Sequence, residues 1–107
     1  MVLASEEDIK DFAEDVREEF GDRVEKILLY GSYARDEHVP GSDVDIAVLV
    51  SEKRDNDREK LFDIAEDYRW DKDIFFSPRV FELDKFKQKA EASPGFYSTV
   101  SKEGVEV

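Results

Sequence analysis

The sequence predicts an α+β fold, and three observations carry that expectation. Two stretches repeat apolar residues at three- and four-residue spacing, as amphipathic helices require. Between and after them lie short apolar runs of strand length. At 107 residues the chain has room for one domain, residues 1–107, and one modest core. Hydrophobic residues make up 40% of it, with eight Phe, four Tyr and one Trp, which suffices for a packed core beside 41% charged residues.

The first helix is expected over Glu6–Phe20, where Ile9, Phe12, Ala13, Val16 and Phe20 share a face. Ser5 is its N-cap, Asp8 follows three residues on, and Gly21 ends it. Ile27-Leu28-Leu29-Tyr30 reads as a buried strand running into Gly31. Asp43 to Val50 is a second strand, so continuously apolar that both of its faces should be covered. The charged stretch Ser51 to Lys60 passes into a second long helix with Asp57 near its start and Leu61, Ile64, Ala65 and Tyr68 on one face. Asp73-Ile74-Phe75-Phe76 is expected as a third strand, stopped at Ser77-Pro78. Leu83, Phe86, Phe96, Tyr97 and Val100 support two short helices, broken near Ser93-Pro94-Gly95 and closed at Gly104.

Sixteen Lys and Arg face 28 Asp and Glu, a formal net charge of −12. That balance opposes binding through phosphate neutralisation, so direct nucleic-acid binding is not expected. The aromatics Tyr68, Trp70, Phe75, Phe76 and Phe81 read as core or as a covered partner surface, not as a nucleic-acid platform, in so acidic a chain. Without Cys there are no disulfides, thiolate zinc sites or Cys nucleophiles, in keeping with a reducing compartment. Met1 to Ile9 has no basic segment followed by an apolar run, and no stretch approaches the roughly 20 apolar residues that span a bilayer. The expectation is a cytoplasmic protein with no membrane partner.

The informative segment runs from Gly31 to Asp45 and has the form Gly-Ser, ten residues, Asp-x-Asp. A strand ending at Gly31 lets a ligand approach the backbone. Ser32 then opens a short helix through Arg35, whose unpaired N–H groups suit a phosphate. Asp43 and Asp45, one residue apart at a strand start, point to one face. Two adjacent carboxylates repel unless a cation lies between them, and magnesium, which takes oxygen ligands and bridges carboxylates to phosphates, meets that demand. Asp73 supplies a third carboxylate if its strand lies beside theirs, and the three acids then hold two ions, as in-line nucleotidyl transfer uses. Asp71, two residues earlier, shares the strand face of Asp73 and competes for that role. Arg35 either approaches phosphates or pairs with its acidic neighbours Asp36 and Glu37. Tyr33 either stacks on a base or packs, and His38 reads as a solvated loop residue.

On these residues the chain resembles the minimal nucleotidyltransferase (MNT) members of the DNA polymerase β nucleotidyltransferase superfamily. The matching pieces are Ile27 to Tyr30, Gly31-Ser32-Tyr33-Ala34-Arg35, Ser42-Asp43-Val44-Asp45-Ile46, Lys72-Asp73-Ile74-Phe75, and Pro94-Gly95-Phe96-Tyr97 through Glu103-Gly104-Val105. Asp36 stands where many relatives carry Gly. The resemblance implies the nucleotidyltransferase fold, a mixed β-sheet with α-helices packed on it, and transfer of a nucleoside monophosphate from Mg-ATP or another nucleoside triphosphate with release of pyrophosphate. It implies nucleotide binding by Gly31 and Ser32, metal binding by Asp43 and Asp45, and an acceptor-side metal or proton role for Asp73. Many stand-alone MNT proteins are antitoxins of HEPN-domain toxins, and some attach AMP to a toxin tyrosine. The expected function is therefore AMP transfer to a hydroxyl of a HEPN-domain partner. The alternatives are a binding-only antitoxin, or transfer to a small molecule or RNA held by a separate subunit.

The acids are spread along the whole chain, which favours a salt-adapted, solvated surface over a patch that recognises a basic partner. On that reading the melting temperature rises steeply from low to molar KCl as salt screens self-repulsion. A flat melting profile across that range assigns the acids to partner recognition instead.

Overall fold

The computed structural model describes residues 3–107. Helix α1 (Glu6–Phe20) forms as its sequence dictates: Ser5 and Asp8 make a reciprocal capping box, and Gly21 ends the helix at a φ of +62°. Its apolar stripe of Ile9, Phe12, Ala13, Val16 and Phe20 is buried. Strand β1 (Val24–Tyr30) starts three residues before the apolar run, with a register irregularity between Val24 and Lys26. Strand β2 (Val44–Val50) pairs with it antiparallel, Tyr30 opposite Asp45 and Ile27 opposite Val48.

Helix α2 (Asp57–Lys72) buries Leu61, Ala65 and Tyr68. The Tyr68 hydroxyl donates to Asp15 Oδ2 at 2.6 Å, tying α2 to α1, and burial together with that carboxylate pushes its pKa up. Strand β3 (Phe76–Glu82) then pairs parallel with β2, Asp45 beside Ser77. This corrects the expected strand over Asp73–Phe76. Asp73 is the left-handed C-cap of α2 at a φ of +56°, and its N–H donates back to Arg69. The Ser77-Pro78 stop fails because β3 lies at the sheet edge, where a strand tolerates a residue without an N–H.

Helices α3 (Leu83–Ala92) and α4 (Phe96–Glu103) are separated at Ser93-Pro94-Gly95, and Gly104 caps α4 as expected. A two-residue strand β4 (Val105–Glu106), absent from the sequence reading, pairs antiparallel with β1. The sheet order is β3-β2-β1-β4, mixed in direction. Side chains alternate across it. Ile27, Leu29, Val44, Ile46, Val48 and Val50 face α1 and α2 in the main core, where Phe12 stacks on Phe76 at 4.1 Å. Ala47 and Leu49 face the other way, onto Phe86 of α3 and Val100 of α4. Strand β2 is thus covered on both faces, as its apolar run requires.

One buried charge pair holds the main core's far end. Asp57 is fully buried and accepts two hydrogen bonds from the Arg23 guanidinium, at 2.8 and 2.9 Å, and a third from the Arg54 N–H at 2.8 Å. The Arg23 bonds, foremost, hold the Asp57 pKa below its ordinary 3.8 despite burial. A depressed carboxylate contributes stability above its unfolded pKa and loses it as pH falls through the folded value. Asp57→Ala leaves a mostly buried guanidinium unpaired and should cost about 3–5 kcal/mol. Urea unfolding at pH 7 checks this; a loss below about 1 kcal/mol would place the pair among surface ion pairs in energy.

Candidate active site

The site is built where β1 hands the chain to β2. Gly31 follows Tyr30 with a φ of +75°, and a Cβ placed there would collide with Asp45 Oδ2. Only glycine lets the carboxylate lie against the backbone. After it the chain makes a single helical turn: the Arg35 N–H donates to Gly31 O at 3.2 Å and the Glu37 N–H to Ser32 O at 2.9 Å. The expected short helix over Ser32–Arg35 is therefore one turn only, closed at Asp36 in the left-handed region with φ +56°. Glycine takes that conformation without strain, and Asp is among the few other residues that tolerate it. The N–H groups of Ser32, Tyr33 and Ala34, which lead the turn, have no backbone partner among the described residues.

The turn is anchored from both sides. Tyr33 is buried, and its hydroxyl accepts from the Ala4 N–H at 3.0 Å, so it packs and is not free to stack on a base. His38 stacks on the Tyr33 ring at 4.0 Å and is half-buried, which corrects its reading as a solvated loop residue. Ser42 closes the loop, its Oγ accepting from the Val39 N–H at 3.0 Å while its own N–H donates to Val39 O at 2.9 Å. The chain then enters β2 with Asp43 exposed and Asp45 half-buried.

Register places further residues beside this pair. Partners across neighbouring strands share a sheet face, so Tyr30, Asp45 and Ser77 form one row on the α3–α4 side. Leu28, Ala47 and Arg79 form the next. The Arg79 guanidinium lies 4.7 Å from the Phe96 ring centre, and Phe96 meets Tyr30 edge-on at 5.7 Å. Burial, and secondarily Asp45, push the Tyr30 pKa up. A cleft of about 250 Å³ opens on the same side, between Tyr30, Gly31, Arg35 and the α4 residues Phe96, Thr99 and Glu103. Ser77, Arg79, Tyr30 and Phe96 were not singled out from sequence as site residues. Strand register brings Tyr30, Ser77 and Arg79 there, and the packing of α4 on the sheet brings Phe96.

Burial and then the neighbouring Asp43 raise the Asp45 pKa, while Arg35 opposes them. Arg35 also pairs with Glu37 at 3.2 Å across a solvent-exposed contact. The adjacent Asp43 and Asp45 carboxyl groups are short of positive charge, and a hard divalent cation with oxygen ligands fits them. Asp73 stands apart: it precedes β3 by three residues at the end of α2, and Asp43, Asp45 and Asp73 do not gather into a three-carboxylate group among the described residues. Asp71 lies two residues earlier, within α2 and not on a strand.

The site thus combines a helix-flanked mixed sheet, a glycine-led turn after β1 and a carboxylate pair at the entry to β2. The chain belongs to the nucleotidyltransferase domain family, whose model matches residues 9–105, and is an enzyme of that transferase class. It is 33% identical over 100 residues to the Methanocaldococcus jannaschii protein named "Putative protein adenylyltransferase MJ0141", covering 92% of this chain and 94% of the relative. A second protein of that organism with the same kind of name, MJ1305, is 36% identical over 77 residues, 69% of this chain and 52% of the relative. Among solved structures, a toxin–antitoxin complex with AMP-PNP superposes with a TM-score of 0.61 at 18% identity, covering 91% of this chain and 70% of that one. A variant of an MntA toxin–antitoxin pair gives 0.58 at 17% identity, with the same coverage. These two show the shared fold.

The raised pKa of Asp45 carries a stability consequence. The folded state holds its proton more tightly than the unfolded chain does. The resulting stability is complete below the unfolded pKa and is lost as pH rises through the raised folded value. Above that folded value the ionised carboxylate is less favourable to the fold than the protonated one. Asp45→Asn should raise the metal-free melting temperature at pH 7 by several degrees and lose that advantage at pH 3. A lower melting temperature for the variant at pH 7 would show that Asp45 stabilises the fold.

Proposed function

We propose that this protein is a protein adenylyltransferase that moves AMP from Mg-ATP to a hydroxyl of a partner, acting as the antitoxin to a HEPN-domain toxin. The observation that carries the reading is the Asp43–Asp45 pair, with Asp45 seated against Gly31 at the end of β1. The relative named as a protein adenylyltransferase and the fold shared with toxin–antitoxin structures support it.

Asp43 and Asp45 would hold magnesium, which supplies neutralisation of the triphosphate charge and of the charge that develops on the leaving pyrophosphate. The free N–H groups of Ser32, Tyr33 and Ala34 and the Ser32 hydroxyl receive the phosphate oxygens. Gly31 leaves room for them beside Asp45. The acceptor oxygen forms a bond to the α-phosphorus as the bond to the bridging oxygen breaks, and pyrophosphate departs with that electron pair. The hydroxyl proton leaves to water at the exposed side of Asp43. Catalysis here is positioning and charge neutralisation, so small displacements of either carboxylate are costly. The two-ion arrangement expected from three acids lacks its third member in this geometry, and the proposal rests on the Asp43–Asp45 pair alone.

The test is AMP transfer from labelled ATP to a co-expressed HEPN-domain partner. Asp43→Asn and Asp45→Asn should each reduce transfer by at least about a hundredfold and weaken magnesium-dependent ATP binding. Asp73→Asn, at a helix cap, should leave transfer within about threefold of the parent, as surface changes do. Loss of transfer in the Asp73 variant with ATP binding intact would return that residue to the acceptor side of the site. A stable complex with no labelled partner identifies a binding-only antitoxin.

A further inference from the structure

The least expected feature of so acidic a chain is a cation-lined groove. It runs along the outer edge of β3, encloses about 670 Å³, and collects Lys53, Arg58, Arg79, Lys85 and Lys89 from four segments of the chain. Glu82 is the one carboxylate that lines it. Five of the sixteen basic residues therefore meet in one groove of a chain with a net charge of −12. Among the described residues Lys85 alone of the five pairs with a carboxylate, Glu82 at 3.3 Å. The groove floor is apolar, with the Phe81, Phe86 and Tyr97 rings in mutual contact at centre distances of 5.3 to 5.8 Å.

The backbone at this edge is also available. The Val44 N–H donates to Phe75 O at 2.8 Å, so Phe75 turns its carbonyl to β2. In a parallel ladder the facing residues alternate, which turns Ser77, Arg79 and Phe81 inward and Phe76, Pro78, Val80 and Glu82 outward. Pro78 accordingly spends its missing N–H on the open side. The N–H groups of Val80 and Glu82 and the carbonyls of Pro78 and Val80 remain for a further strand, because β3 is the sheet's edge.

We propose that this groove binds an acidic, extended polypeptide segment of a protein partner, which adds to β3 as a fifth strand. Main-chain hydrogen bonds to Val80 fix its register, the flanking cations take its carboxylates, and its apolar side chains reach Phe81 and Tyr97. A nucleic acid is the weaker candidate, because its dense phosphate charge meets the repulsion of the whole chain, whereas a few carboxylates on a strand meet mainly the groove. The inference concerns docking and stands whether or not AMP is transferred.

The experiment titrates the full chain with a fluorescent peptide of about ten residues that carries Glu and Val in turn at its odd positions and Thr at its even ones, so that both side-chain types share the face of Arg79 and Phe81. The expected result is saturable binding that weakens in molar KCl. A Lys85→Glu/Lys89→Glu variant, with both side chains exposed and its melting temperature as the folding control, should lose at least about tenfold in affinity. The same peptide with N-methyl groups on one edge should bind as poorly. Equal affinity for the methylated peptide would overturn strand addition. So would undiminished binding by the charge-reversed variant, or tighter binding of a single-stranded RNA of equal length. Self-association in sedimentation that the variant abolishes would overturn it too, by making a second copy the occupant.

Discussion

Everything in the site depends on one steric exclusion: the volume a Cβ would occupy at Gly31 is held by the Asp45 carboxylate. Antiparallel pairing sets Tyr30 opposite Asp45, so the residue after Tyr30 must turn away just where that carboxylate lies. A φ of +75° accomplishes the turn and leaves the acid in place. A side chain at Gly31 would meet both penalties together, the strained dihedral and the collision. The consequence reaches outward, because the turn from Ser32 to Glu37 hangs on Gly31 O, and Tyr33 within it reaches the Ala4 N–H before α1. The helix N-terminus, the loop and the carboxylate pair are thereby one mechanical unit.

The two sheet faces divide the work of stability and chemistry. Against α1 and α2 lie the larger core, the Phe12–Phe76 stack, and the hydrogen bond from Tyr68 to Asp15. At the far end of β2, the Asp57–Arg23 pair closes the helix start onto the segment before β1. The α3–α4 face has a smaller core, and its uncovered end exposes the row from Tyr30 through Asp45 to Ser77. A destabilising carboxylate is tolerable there because the opposite face supplies the packing.

Several local features are legible in the sequence. The capping box of Ser5 and Asp8, the α1 stripe and the break at Pro94 each depend on neighbours within a few residues. The Gly31-Ser32 and Asp43-Val44-Asp45 pieces were likewise legible, since a turn after a strand and a period-two pair need no distant partner. Strand β3 was misplaced because Ile74-Phe75-Phe76 looks strand-like, while Pro78 looks like a stop unless the strand is known to be an edge. The helix cap at Asp73 is a left-handed conformation that glycine would have advertised and aspartate concealed. Strand β4 has two residues and owes its existence to the edge of β1 it covers. The aromatics split: Phe76 and Tyr68 entered the core, whereas Trp70 is 77% exposed.

The same register that displaced Asp73 gives the site its two approaches. On one side of Asp45 lies the cleft bounded by Gly31, Arg35 and α4. On the other lies Ser77, the register partner of Asp45 and a lining residue of the cationic groove along β3. In-line displacement needs the entering oxygen and the departing pyrophosphate on opposite sides of phosphorus. On the proposed reading, the triphosphate enters from the Gly31 side and the partner from the β3 side. The acidic remainder of the chain then acts on both: it repels a triphosphate that carries no cation, and it leaves the β3 groove as the concentrated cationic surface for an acidic segment. On that reading charge sorts donor from acceptor before either reaches Asp45.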